Sequence, residues 1–467
     1  MKSRIIALAA AAVALAGCAG FSADGGLDAV QSVARPRIKQ DIPRLTTEDE
    51  RARAASLVKE RLAAPLTAQD AVAIALLNNP SLQAAYAELG VAEADLVQAG
   101  RLRNPGFSFA KLRRGDEREI ERKFVFDVIG LVTMPLRLEI ERGAFASAQL
   151  RAAREVVSIA DEARRTWIDA VAADEVARYA GQVKDAAEAS AELAEQMRRA
   201  GNFSRLAQSR EQLFVADATA QLARARHAAL AARERLARSL GLTGEQLAFR
   251  LPERLPDIPA TPRELRDAEG IAMANRLDVQ AAKRETEALA RSLGLTRVTG
   301  FVNVLNLGYR RDTSTEMPRR TGYEIEVELP LFDWGTARVA RGEATYRQSL
   351  SLAAAAAIQA RSEVREGYAS YRTAHDLARH YRDEVVPLRK RISEENMLRY
   401  NGMLISVFEL LADSREQAGA VMAAIEAGRD FWLADASLEM ALMTGSPVSA
   451  PRMKAAPSAA AAAGAGH

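Results

Sequence analysis

The sharpest hydrophobic pattern in the chain is the run Tyr323-Glu324-Ile325-Glu326-Val327-Glu328-Leu329, where apolar residues and glutamates alternate. A period of two puts successive side chains on opposite faces, so this run predicts a strand with one apolar and one wet face. Residues 301–310 alternate less cleanly, with Phe301, Leu305, Leu307 and Tyr309 sharing a face with Asn303. Residues 106–113 and 123–134 form an earlier pair of the same kind. The stretches between paired strands, 114–119 and 311–316, are charged or polar and predict loops.

Helices account for most of the rest. A helix is predicted over 66–99, with Thr67 as N-cap and Gly100 at its end, before Asn104-Pro105-Gly106 breaks the chain. Residues 139–199 contain no proline, and glycine only at 143 and 181; as a helix this run spans roughly 90 Å. Residues 336–400 are interrupted only by Pro387. Both runs end at glycine turns, Ala200-Gly201-Asn202 and Asn401-Gly402, and a second helix returns to about Leu240 and Met443. The returning helices carry heptads: Leu206, Ser209, Leu213, Ala216, Ala220, Ala223, His227 and Leu230 in one, and Val407, Leu411, Ser414, Ala418, Val421, Ile425, Gly428 and Trp432 in the other. Steps of four and three predict coiled-coil seams, which alanine and glycine allow to pack closely.

These elements occur twice. Leu82-Gln83-Ala84-Ala85 returns as Val279-Gln280-Ala281-Ala282, Gly106-Phe107 as Gly300-Phe301, and Met134-Pro135-Leu136 as Leu329-Pro330-Leu331. Ser209-Arg210-Glu211-Gln212 returns unchanged as Ser414-Arg415-Glu416-Gln417. The offsets, 194 to 205 residues, far exceed solenoid periods, so each copy is a whole substructure. The boundaries predicted are a first repeat over 66–242, with strand pair 104–136 and helical hairpin 139–240, and a proline-rich connector over 243–262. A second repeat follows over 263–445, with strand pair 299–334 and hairpin 336–443. Residues 446–467, rich in Ala, Pro and Gly, predict a disordered tail.

Composition agrees with long, close-packed helices. Of 467 residues 48% are apolar but only 5% aromatic, and alanine supplies much of the difference. The net charge of +3 is small for this length and no dense basic tract is present, which argues against nucleic acid as a partner. Four histidines and one cysteine leave no obvious metal site, and no phosphate loop, nucleophile elbow or His-Glu-x-x-His motif points to an enzyme or a cofactor.

The single cysteine changes the picture at the N-terminus. Lys2 and Arg4 precede an apolar run, Ile5 to Leu15, too short to span a bilayer and typical of a signal peptide over 1–17. Leu15-Ala16-Gly17-Cys18 resembles a bacterial lipobox, which makes Cys18 the acylation site at the head of a lipidated segment over 18–65. Several acyl chains on one residue anchor a protein stably.

Strands with one apolar and one polar face suit a membrane barrel, but four cannot close one, and open strand edges are not tolerated in lipid. A membrane reading therefore requires two, three or four copies. The alternative is a pair of hairpins on a soluble core.

Several motifs resemble the TolC-type outer-membrane efflux proteins: the Leu66-Thr67…Asn79-Pro80 opening, the Leu329-Pro330-Leu331-Phe332-Asp333-Trp334-Gly335 strand exit, the Arg399-Tyr400-Asn401-Gly402 turn, and the duplication itself. The similarity covers about residues 60–445, and the lipidated branch of the family matches Cys18. It implies a mainly α fold with a β-barrel part. Four strands per chain complete a 12-stranded trimeric barrel in the outer membrane of a Gram-negative bacterium, above a periplasmic α-helical tube. The function implied is a passive exit duct docked to a periplasmic adaptor and an inner-membrane pump. Docking falls at the tips, near Arg198, Gly201, Ser204, Arg399, Gly402 and Ser406. Tyr400, Glu409 and Asp413 are implied at the entrance gate. Repeated as a ring, the carboxylates favour cations; the alternative for them is a solvated helix face. The rival for the whole chain is a lipid-anchored periplasmic scaffold or pump adaptor, but adaptors are built around one helical hairpin and this chain has two.

Overall fold

The computed structural model describes residues 20–43, 47–298, 304–328 and 331–445. Two short helices, α1 (Leu27–Ile38) and α2 (Glu48–Leu62), precede the first repeat. Thr47 caps α2 through a reciprocal box with Glu50. Val30, Ala34 and Ile38 of α1 are buried in the main core.

The first repeat runs α3 (Ala68–Asn78), α4 (Pro80–Ala99), β1 (Gly106–Arg114), β2 (Glu117–Asp127), α5 (Val128–Arg199), α6 (Arg205–Ser239). The second runs α7 (Ala268–Asn275), α8 (Leu277–Val298), β3 (Leu305–Ser314), β4 (Arg320–Val327), α9 (Thr336–His380), α10 (Val386–Asn401), α11 (Val407–Met443). Each pair of strands is thus flanked by one medium helix and one long helical hairpin. The four strands form one antiparallel sheet in the order β1-β2-β3-β4.

Several sequence expectations need correction. The helix read over 66–99 is two helices. A proline disfavours α conformation in the residue before it, and Asn79 is extended, with its Oδ1 accepting from Ser81 N at 2.9 Å to cap α4. The strand read over 123–134 stops at Asp127. The Asp127 carboxylate accepts from Gly130 N at 2.7 Å, starting α5, so Met134-Pro135-Leu136 lies in a helix. The polar stretches read as loops are partly strand: Glu117, Arg118 and Glu119 pair with Arg114, Arg113 and Leu112, and Arg311, Asp312, Thr313 and Ser314 pair back to β2. Only Gly115-Asp116 and the segment after Ser314 turn the chain. In the second repeat Pro387, which lacks an N–H, adjoins a π-turn over Tyr381–Val385 that divides α9 from α10. Phe301, Leu329 and Pro330 of the expected strands lie outside the described residues, as do the signal segment, Cys18 and the 446–467 tail.

The core lies at the middle of α5. Leu66, Ile74 and Leu76 pack there with Val156, Ile159 and Trp167 of α5 and Leu236 and Leu240 at the end of α6. Trp167 donates its indole N–H to Leu66 O at 2.7 Å, and Leu66 N donates to Arg250 O at 2.8 Å, so the chain leaving the first repeat clamps the chain entering it. Ala152, Ala153, Ala160, Ala163 and Ala170 line the buried stripe of α5, where methyl groups allow close helix approach. A smaller core around Tyr371, Phe431 and Leu438 serves the second repeat.

Each repeat is closed on itself by the same device. Asn79 Nδ2 donates to Ser239 O at 3.0 Å, the end of α6. The matching residue Arg276, 0% exposed, donates to Ala441 O at 3.2 Å, the end of α11, and is paired with Asp278 and Glu363. Beyond these carbonyls Gly241 and Gly445 take left-handed φ of 66° and 77°. A Cβ on Gly241 would lie 2.7 Å from Asn78 O. We expect Gly241→Ala to destabilise by about 1–3 kcal/mol. Gly90, in α4 with open space around it, should instead gain about 0.5–1 kcal/mol as alanine. Thermal unfolding in detergent compares the two directly.

Candidate functional site

The register of the sheet sorts its side chains into two unlike faces. Phe107 lies opposite Phe124, Phe124 opposite Tyr309, and Tyr309 opposite Tyr323. One step along, Phe126, Leu307 and Ile325 form a second row. Ring centroids are 4.8 Å apart for Phe107 and Phe124 and 5.7 Å for Tyr309 and Tyr323. These apolar side chains are uncovered, Tyr323 at 84% exposure. The band continues towards the helices through exposed Val132, Phe332 and Trp334. A soluble sheet would hide such a face; exposed apolar patches of this size mark an interaction with another protein or a membrane.

The opposite face is ionic. Arg310 pairs with Glu121 at 2.6 Å and Asp312 at 2.8 Å, and Lys123 pairs with Glu324 at 2.6 Å. Asn306 donates to Glu326 at 3.1 Å. Glu119, Glu121 and Asp312 bring carboxylate oxygens within 4.8 Å of one another, and Arg310 already occupies two of the three. Among the described residues the sheet ends in unpaired edges at the outer strands β1 and β4.

At the far end of the molecule lie the two hairpin tips. Gly201 closes the first with φ 82°, and Asn202 N returns to Met197 O at 2.9 Å. Ser204 then caps α6, its Oγ accepting from Ala207 N at 3.1 Å. At the second tip the left-handed residue is not the expected Gly402, whose φ is −80°, but Met403 at φ 58°. Leu404 N returns to Arg399 O at 2.8 Å, and Met403 and Leu404 are exposed. Ser406 caps α11 through Glu409 N at 3.4 Å. Arg399 pairs with Glu395 at 3.1 Å. Arg198 is half-buried, and its Nε has no hydrogen-bond partner among the described residues.

The residues expected at a gate divide. Tyr400 and Leu411 pack on Ala194, Phe203 and Ala207, so the tyrosine joins the two tips. Glu409 is exposed on the first turn of α11. Asp413, one turn on, is buried with Oδ2 unpartnered among the described residues. The two carboxylates therefore occupy different surroundings.

The strongest link between the hairpins escaped prediction. Glu211, with 3% of its side chain exposed, accepts from Ser190 Oγ at 2.8 Å and pairs with Arg415 at 2.6 Å. Arg415 also stacks 4.3 Å over the Phe214 ring. The signal was present: Glu211 and Arg415 belong to the two copies of Ser-Arg-Glu-Gln. Nearer the core, Arg164 pairs with Glu439, Arg165 with Asp161 at 2.7 Å, and Arg263 with Asp435. Burial pushes the Asp161 and Asp435 carboxyls up, and Arg165 and Arg263 respectively pull them back.

The heptads also need correction. Within the chain α6 buries Ala207, Glu211, Ala218, Leu222, Ala225, Ala232 and Leu236, a stripe offset from the one expected. Leu206, Leu213 and Leu230 of the expected stripe are exposed. Helix α6 thus carries two apolar stripes, and one has no partner among the described residues.

No family model matches this sequence. Over 285 residues it is 25% identical to the cobalt-zinc-cadmium resistance protein CzcC of Cupriavidus metallidurans, covering 58% of this chain and 64% of that one; the match spans less than two thirds of that relative's length. In structure it is similar to the outer-membrane channel OprN (TM-score 0.68, 18% identity, 92% of this chain and 97% of that one). It is likewise similar to the outer membrane protein VceC of Vibrio cholerae (TM-score 0.68, 16% identity, 84% of this chain and 97% of that one).

Removing one partner of a buried ion pair strands the other, whereas removing both need not. We therefore expect Arg415→Met, which leaves Glu211 buried, to cost more stability than Arg415→Met combined with Glu211→Leu. A double-mutant cycle should give about 1–3 kcal/mol of coupling, read from unfolding in detergent.

Proposed function

We propose that this chain, whose fold is that of the TolC-type outer-membrane channels, is the passive exit duct of a tripartite efflux system. Three copies set their four strands side by side as a 12-stranded barrel in the outer membrane. Their helices form the periplasmic tube, and an adaptor and an inner-membrane pump supply cargo and energy at the far end. The observation that carries this reading is the sheet: two free edges, an exposed aromatic face, and an ion-paired face opposite. In lipid only a closed barrel satisfies both edges, with the apolar face outward and the polar face lining the lumen.

The helices support the same assembly. The unpartnered stripe of Leu206, Leu213 and Leu230 suits a neighbouring copy. The repeated motif gives a second argument. Within the chain, Glu211 of the first copy of the motif meets Arg415 of the second. In a ring of alternating repeats the next step joins Glu416 of the second copy to Arg210 of the first in the neighbouring chain. Glu416 is 60% exposed and pairs with Arg389, and Arg210 is exposed without an ion pair among the described residues.

Cys18 is the acylation site that adds an anchor to the barrel. The tips at Arg198, Gly201, Ser204, Arg399, Gly402 and Ser406 receive the adaptor, and exposed Met403 and Leu404 give the second tip an apolar knob. Glu409 rings the entrance, with Asp413 and Tyr400 behind it. The acidic lumenal face and the name of the CzcC relative together favour metal cations as cargo.

Two measurements test this reading. Arg210→Cys with Glu416→Cys should cross-link under mild oxidant to a covalent trimer; a product that stays monomeric contradicts the ring. Glu409→Ala should reduce cation preference in planar-bilayer conductance more than Asp413→Ala, because only Glu409 is exposed. Unchanged selectivity in both would remove the pair from the entrance gate.

A further inference from the structure

Above the aromatic band, towards the hairpin turns, the outward face of the sheet changes character. Arg122 lies opposite both Phe109 and Arg311, and Lys111 sits diagonally across from Arg122. Nearer the turn, Arg113 lies opposite Arg118. All five share the face of Phe124 and Tyr309, because they alternate in register with them, and that face of the four strands carries no acid. None of the five is in an ion pair among the described residues, whereas Lys123 and Arg310 on the other face are both paired. All but half-buried Arg122 are exposed.

Like charges placed directly opposite each other on a sheet are unfavourable. This face holds two such pairs, Arg122 with Arg311 and Arg113 with Arg118. Closing the barrel does not relieve them: β4, which would lie against β1 of the next copy, offers Thr321 and Tyr323 on that face. The missing anion must come from outside the protein. The cations sit directly above aromatic side chains that take the interfacial level of a membrane, and two residues along a strand is about 7 Å. The long helices leave from the other end of the sheet, so this end faces away from the tube.

We propose that these cations form a binding site for the phosphate-bearing headgroups of anionic lipid in the outer leaflet. Arg122 and Arg311 are its centre: their guanidinium groups can each hold a phosphate through two parallel hydrogen bonds. Lys111 adds a third charge. The site rests on the proposed barrel, since it needs this face to meet lipid.

The test uses the full-length protein purified in mild detergent and supplied with equal amounts of phosphatidylglycerol and phosphatidylcholine. Native mass spectrometry reads the lipids retained per trimer. The wild type should retain phosphatidylglycerol preferentially, and Arg122→Gln with Arg311→Gln should weaken that preference roughly thirtyfold, about fivefold per cation. Arg311→Lys, which keeps the charge, should retain most of it, and Lys123→Gln on the lumenal face should change nothing. Equal retention by wild type and the double Gln variant overturns the site. Displacement of the lipid by inorganic phosphate at matching concentration overturns the assignment to a lipid headgroup. A separate arm asks whether Cys18→Ser protein stays with phosphatidylcholine vesicles in high salt. Release there contradicts the barrel itself, whereas retention without lipid preference contradicts only the site.

Discussion

Every strand in this chain answers to one demand of the peptide backbone. An N–H or C=O taken into hydrocarbon must find a partner, because no water is there to supply one. Strands β2 and β3 meet that demand inside the chain; β1 and β4 each have one side that does not. The aromatic face makes the demand acute, because Phe107, Phe124, Tyr309 and Tyr323 leave lipid as the medium that fits the sheet best. A single chain with such a face and two free edges among the described residues is half of a solution, and in the proposed barrel identical copies supply the other half. In that barrel the ion pairs on the opposite face have a place too, around an aqueous lumen.

The helices repeat this logic in water. Alanine lets α5 and α6 approach closely within the chain, and a second stripe on α6 leaves Leu206, Leu213 and Leu230 exposed, where the proposed trimer places a neighbour. The Glu211–Arg415 pair fixes the two hairpins against each other near their tips. Burial makes that pair specific more than strong: desolvation offsets much of the attraction, but any misregister leaves a buried charge alone. A tube whose entrance must hold a fixed shape gains from contacts of this kind.

Much of this was legible in the sequence. The alternation in 323–329 gave the sense of β4, and the repeated motifs gave two copies of one unit. What failed did so for local reasons. Period two could not show that Asp127 would end β2 by capping a helix, or that Pro80 would divide one helix into two. Charge misled at the hairpin turns, where Arg311, Asp312 and their neighbours look like loop but extend the strand, because one face of this sheet is ion-paired and polar. The heptads were visible, but an alanine-rich helix has several candidate stripes, and the sequence cannot say which one faces the same chain. Period and charge also do not show that Tyr400 packs on Ala194, Phe203 and Ala207 or that Asp413 is buried, since a side chain's neighbours across the tip are set by tertiary packing.

The claim on which the rest stands is that the sheet is closed by other copies in lipid. Amide hydrogen exchange of the protein in lipid nanodiscs tests it where the bonds would be. If the barrel is closed, the outward-directed amides of Gly106–Arg114 and Arg320–Val327 exchange as slowly as those of β2 and β3. Fast exchange along both edges, with β2 and β3 protected, would show an open sheet and contradict the account.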